Sequence, residues 1–151
     1  VMSDYVAQFK KQFEKNKAEK NFVLGFSFGA MIAFITASEL KPEKLFLCSL
    51  SPYFREDLKK MMKVEANIFG KHRLEDFRKY SARAIAKTIK TPTTIFCGGA
   101  EGTKYPKLLT RCREASTQMV RAHLVIPKDA PHQIDFPSYV EAIKKSMTES
   151  H

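Results

Sequence analysis

Gly25-Phe26-Ser27-Phe28-Gly29 lies between an apolar run, Asn21 to Leu24, and a segment of helical character, Gly29 to Leu40. A G-x-S-x-G pattern carries meaning where a strand feeds directly into a helix, and these flanks meet that condition. The turn between them is sharp and holds the serine in a strained backbone conformation, so it requires residues with almost no side chain two places before and two places after. Gly25 and Gly29 meet that requirement. Ser27 then stands at the carboxyl end of a strand, and the first amides of the following helix face any negative charge that forms beside it. Ser27 is therefore the candidate nucleophile.

Upstream of this turn, Val6, Phe9 and Phe13 recur at helical spacing between Ser3 and about Lys20, with Ser3 as the expected N-cap. Downstream, the helix carrying Phe28, Met31, Ile32 and Ile35 must stop before Lys41-Pro42. Lys44 to Leu50 predicts a second strand. Its centre, Leu45-Phe46-Leu47-Cys48, shows no polar alternation, so both faces are expected to be covered, as in a parallel sheet between helices. Residues 53–90 predict two or three helices interrupted near Gly70, in which Met61 and Met62 suit either plain core or an apolar pocket.

Thr93 to Cys97 predicts a third strand, rich in β-branched and aromatic residues, running into Gly98-Gly99-Ala100-Glu101-Gly102, a flexible loop by composition. Pro106 opens a helix reaching about Met119, and Ala122 to Ile126 predicts a fourth strand. The loop Lys128-Asp129-Ala130-Pro131-His132 follows, and Pro137-Ser138 opens a last helix through Tyr139, Val140, Ile143 and Met147. This alternation predicts one α/β domain over residues 1–151, a three-layer sandwich with a short parallel sheet of about four strands flanked by helices. Ligands bind such sheets beyond the carboxyl ends of the strands. Ser27, Glu101 and His132 each follow a different strand at that end.

The chain has 151 residues, enough for one domain with a sizeable core, and no repeat or low-complexity tract. No apolar run approaches a membrane span and Val1 to Lys20 is too polar for a signal peptide, which makes the cytoplasm the expected compartment. Cys48, Cys97 and Cys112 lack metal-ligand spacing and are expected to be reduced and structural. The net charge of +10 is spread over segments in which lysines alternate with glutamates. Without interleaved exposed aromatics this predicts a solvated surface and no nucleic-acid partner. A first residue of Val1 is expected of a sequence processed, trimmed or cut from something longer.

Attack by a serine needs a base, and the base needs a third group to hold its tautomer. Of the four histidines, His72 falls in the helical stretch, His123 inside a strand and His151 at the terminus. Only His132 sits in a loop just after a strand.

The strand, turn and helix around Ser27 resemble the nucleophile elbow of the α/β-hydrolase family, in which the triad runs serine, acid, histidine along the chain. The resemblance covers nearly the whole chain but only the carboxyl-terminal part of the family fold, and so implies a truncated α/β-hydrolase fold without its first four strands. It implies Ser27 as nucleophile, His132 as base and Glu101 as acid, the last at a position where aspartate is usual and glutamate accepted. Glu56, Asp57, Asp129 and Asp135 are rivals for the acid, although the last two lie close to His132 along the chain. The backbone amide of Phe28 is the implied oxyanion donor. The family's second donor comes from a loop well before the elbow, where this chain offers only Val1 to Leu24.

The activity that this resemblance implies is that of a serine hydrolase, cleaving a carboxylic ester or thioester of a small-molecule acyl substrate through an acyl-enzyme, with no cofactor and no metal. Residues 53–90 then correspond to a lid-like insert. The alternative is a catalytically silent fragment or shortened homologue acting as a binding or assembly module, since one fold hosts many activities. In the family the elbow strand has neighbours on both sides. Here Asn21 to Phe26 is expected to form an exposed edge, open to a homo-oligomer or to completion by a separate amino-terminal segment.

Overall fold

The computed structural model describes residues 1–149. Its centre is a four-stranded parallel sheet, β1 (Phe22–Phe26), β2 (Lys44–Cys48), β3 (Thr93–Phe96) and β4 (Ala122–Val125), with the strands side by side in chain order. Leu24 lies opposite Phe46, Phe46 opposite Thr94, and Thr94 opposite His123. Because every pair is parallel, all four strands end on the same side of the sheet.

Side-chain alternation on β2 divides the interior into two layers. Leu45 and Leu47 face a large core shared with α1 (Met2–Lys15), α2 (Phe28–Leu40), α6 (Ala82–Thr88) and α8 (Pro106–Gln118). Phe46 and Cys48 face a smaller core closed by Tyr139 and Ile143 of α9 (Pro137–Thr148). All four residues are fully buried, which is why the strand carries no polar alternation. The result is the three-layer sandwich expected from the sequence.

α2 is apolar nearly all round and buries Ala30, Met31, Ala33, Phe34, Ala37 and Leu40 against the sheet and its neighbours. It ends at Lys41 in the left-handed region (φ 49°), ahead of Pro42. α1 differs from expectation at both ends. It stops at Lys15, where the Asn16 side chain donates to Gln12 O (2.8 Å), and Ser3 lies inside its first turn instead of capping it. The Ser3 hydroxyl and amide both donate to Asp76, tying α1 to α5 (Lys71–Phe77).

Between β2 and β3 the chain forms α3 (Arg55–Leu58), α4 (Lys63–Phe69), α5 and α6, one helix more than the sequence suggested, with Gly70 at the break between α4 and α5. The glycine-rich stretch after β3 is helical as well: α7 spans Gly99–Lys104. Expected as a flexible loop, it is fixed by bonds to the segment after β4. Gly99 N–H donates to Pro127 O (2.9 Å), and the amides of Ala100 and Glu101 donate to Ala130 O (3.0 and 3.1 Å). Among the described residues no helix is long and apolar enough to cross a membrane.

Candidate active site

Ser27 occupies the turn between β1 and α2 with φ 58° and ψ −119°, a conformation costly for a residue with a side chain. Gly25 makes the turn possible: a Cβ there would stand 2.2 Å from Gly29 O. The matching requirement at Gly29 does not hold, because a Cβ at that position meets open space. Ser27 N–H donates to Cys48 O (2.9 Å), so the turn is held by the end of β2.

His132 follows β4, and its Nε2 lies 3.2 Å from Ser27 Oγ. Its Nδ1 lies 2.7 Å from Glu101 Oε1. The Phe26 ring packs beside the imidazole, with centroids 4.8 Å apart. The His132 side chain is 38% exposed and that of Glu101 is fully buried, so the three groups run from a cleft into the interior. Gly98 permits the approach: a Cβ there would fall 2.2 Å from Ala130 O, so any side chain would push the segment bearing Glu101 away from the segment bearing His132.

A chain of donors fixes the carboxylate. Glu101 Oε2 accepts from Gly98 N–H (2.6 Å) and from Ser49 Oγ (2.7 Å). Since Ser49 commits its one proton to the carboxylate, the 2.8 Å bond between Ser49 and Tyr139 runs from the phenol to Ser49. Burial pushes the Tyr139 phenol well up, aided by Cys48 and Glu101, and keeps it a neutral donor. Burial likewise pushes the Cys48 thiol up to about 12, so it takes no part as a thiolate. Ser49 holds φ 54° to make this contact. Nothing in the local sequence distinguishes Ser49 or Tyr139 from ordinary strand-end and helix residues.

The rival carboxylates are engaged elsewhere. Glu56 accepts from Ser81 Oγ and from the amides of Ala82 and Arg83, at 3.0, 2.9 and 2.8 Å, which satisfies the start of α6. Burial alone would raise it; these bonds hold it below the ordinary carboxylate range. Asp57 forms a forked ion pair with the buried Arg111, with contacts from 2.6 to 3.1 Å. Asp129 sits in the left-handed region (φ 58°), and both it and Asp135 leave Nδ1 of His132 to Glu101. His72 lies on α5 and His123 on β4, while His151 lies outside the described residues.

A cleft of about 650 Å³ opens over Ser27 and His132. Phe28, Tyr53, Met62, Tyr105 and Leu108 give it apolar walls, and Glu65, Lys104 and Lys107 bring charge to its rim. Met61 is not among the residues that line it. Phe28 opens α2, where amides have no partner within the helix, and among the described residues its N–H makes no other backbone hydrogen bond.

No family model and no curated protein matches the sequence. Solved structures do match the fold. A Butyrivibrio proteoclasticus protein solved with bound ferulic acid superimposes with a TM-score of 0.72 at 16% identity, over 97% of this chain and 66% of that one. An enol-lactonase from Burkholderia xenovorans gives 0.69 at 14% identity, over 99% and 74%. A lipase-like protein from Acinetobacter baumannii gives 0.67 at 17% identity, over 97% and 66%. Other solved structures that match are α/β hydrolases, so this chain has an α/β-hydrolase-like fold, matched almost end to end onto about two-thirds to three-quarters of the length of those structures.

Proposed function

We propose that this protein is a serine hydrolase that cleaves a carboxylic ester or thioester through an acyl-enzyme. The observation behind this reading is the continuous run from Ser27 Oγ through His132 to Glu101, at 3.2 and 2.7 Å, beneath an apolar cleft. In the resting tautomer His132 Nδ1–H donates to Glu101 and Nε2 accepts from the serine hydroxyl. Ser27 Oγ attacks the acyl carbonyl as its proton passes to Nε2, and Glu101 stabilises the imidazolium that results. The Phe28 amide donates to the carbonyl oxygen as it gains charge. His132 then returns the proton to the departing alcohol or thiol, and water reverses the sequence to release the acid.

The fold neighbours include an enol-lactonase and a lipase-like protein, which agrees with acyl chemistry at this site. The apolar walls fit a small acyl group as substrate. We also propose that α4 acts as part of a lid: none of its residues is buried, and Met62 at its start reaches the cleft. The chemistry as written uses only side chains and amides of this chain.

Hydrolysis of a short-chain nitrophenyl ester tests the reading. Ser27→Ala and His132→Ala are each expected to remove nearly all activity, and Glu101→Gln a smaller but still large factor. A rate unchanged in Ser27→Ala contradicts the proposal. Absence of turnover in the parent chain favours the other reading, a silent binding or assembly module, for which the open side of β1 is the supporting observation.

A further inference from the structure

The triad leaves the hydroxyl of Ser51, which lines the same cleft, without a task. Ser51 Oγ lies 3.3 Å from Ser27 Oγ, and the residue is 3% exposed. Among the described residues its hydroxyl has no other hydrogen-bond partner. Its placement comes from the sheet. Phe26 lies beside Cys48 in register, so the segments after β1 and β2 leave the sheet together. The fully buried Leu50 anchors the second of these segments, and Pro52 restricts Ser51 to an extended backbone.

Proton counting gives the direction of the contact. Ser27 has a single proton, directed to His132 Nε2 when the imidazole acts as base, so the bond between the hydroxyls must run from Ser51 to a lone pair of Ser27. A donor to an oxygen that is gaining negative charge strengthens as the charge develops.

We infer that Ser51 is a further catalytic residue: its hydroxyl donates to Ser27 Oγ, orients the attacking oxygen and stabilises it while its proton leaves. In the step concerned the Oγ–H bond breaks as the Oγ–carbon bond forms, the proton goes to Nε2, and a carbonyl electron pair moves onto the carbonyl oxygen. Collapse of that adduct breaks the bond to the leaving group, which takes the proton from Nε2. Ser51 keeps its own proton throughout. The inference rests on Ser27 being the nucleophile, and its test separates the two.

The rate of Ser27 labelling by a fluorophosphonate probe, followed by intact mass, is compared among the parent chain, Ser51→Ala and Ser51→Thr. Loss of a hydrogen bond to a developing charge predicts labelling about 10- to 100-fold slower in Ser51→Ala. Ester hydrolysis should lose kcat by a similar factor with KM little changed, and Ser51→Thr, which keeps a hydroxyl, should recover most of the rate. If the alanine variant does not fold, Ser51→Cys retains the side-chain length with only a weak donor and is expected to label at least several-fold slower. A rate equal to the parent's in a folded alanine or cysteine variant overturns the role of Ser51 and leaves the nucleophile standing. A parent chain that does not label removes both.

Discussion

Ser27 and Ser49 follow neighbouring strands, both hold positive φ angles, and both direct hydroxyls into one hydrogen-bonded run, Ser27 toward His132 Nε2 and Ser49 toward Glu101. Strain at two such positions is maintained because the surrounding hydrogen bonds and packing leave no easier path. The two glycines flanking Ser27 are unequal partners in this. A methyl group at Gly25 would collide with backbone at Gly29, whereas one at Gly29 meets nothing. Gly25→Ala is therefore expected to lower stability by about 1–3 kcal/mol or more and to abolish activity by displacing Ser27. Gly29→Ala is expected to keep the fold and raise helix propensity in α2. Thermal unfolding of the two variants checks this, and equal Tm losses would contradict it. The G-x-S-x-G pattern marked the candidate nucleophile because its strain is local. It gave no hint of this asymmetry, which depends on what approaches each Cα in space.

At the scale of elements, β2 was legible because Leu45 to Cys48 are buried on both faces and apolar without interruption, and β3 because its buried residues are β-branched and aromatic. α7 was not legible. Gly98, Gly99 and Gly102 read as flexibility, yet Gly98 serves a close approach to Ala130, and the bonds that order the helix come from a segment about thirty residues away in sequence. The candidate acid was identifiable only by its position after a strand, because its burial and its Ser49 partner are long-range facts. α1 was misjudged for a similar reason: Ser3 looks like a cap and is instead held by Asp76 of α5.

That contact has a pH dependence. Burial would raise the Asp76 carboxyl, but the Ser3 hydroxyl and amide together with Lys79 hold it below the ordinary range. A carboxyl lowered in the folded state contributes stability that is present above its unfolded value, about 3.9, and is lost as pH falls through the lower folded value. Stability of the parent chain should thus decline more steeply below about pH 4 than that of Asp76→Asn, which has no such carboxylate to protonate. Urea midpoints measured between neutral and acid pH compare them. Parallel curves would contradict the assignment.

For the molecule as a whole, the sheet is covered over β2 and β3 and left open at β1. Among the described residues β1 pairs only with β2, and on the α9 face Phe22 and Leu24 are 51% and 40% exposed. α1 packs on α2 and α5, and β1 carries neither charge nor proline to blunt its free edge. Such an edge is a template for another strand. The chain is expected to self-associate through β1, or to take up a separate strand-bearing segment when one is supplied. Light scattering across a dilution series reads the first outcome; a monomer at high micromolar concentration with freely exchanging amides from Phe22 to Leu24 would contradict it. The hydrogen-bonded run from Ser27 to Tyr139 nonetheless lies wholly within this one chain. Whether Ser27 is an activated nucleophile is decided by incubating the native chain with a fluorophosphonate and measuring intact mass and the modified peptide. One adduct is expected, on Ser27, absent from His132→Ala and from denatured protein; no adduct on native protein, or one on a different serine, would contradict that role.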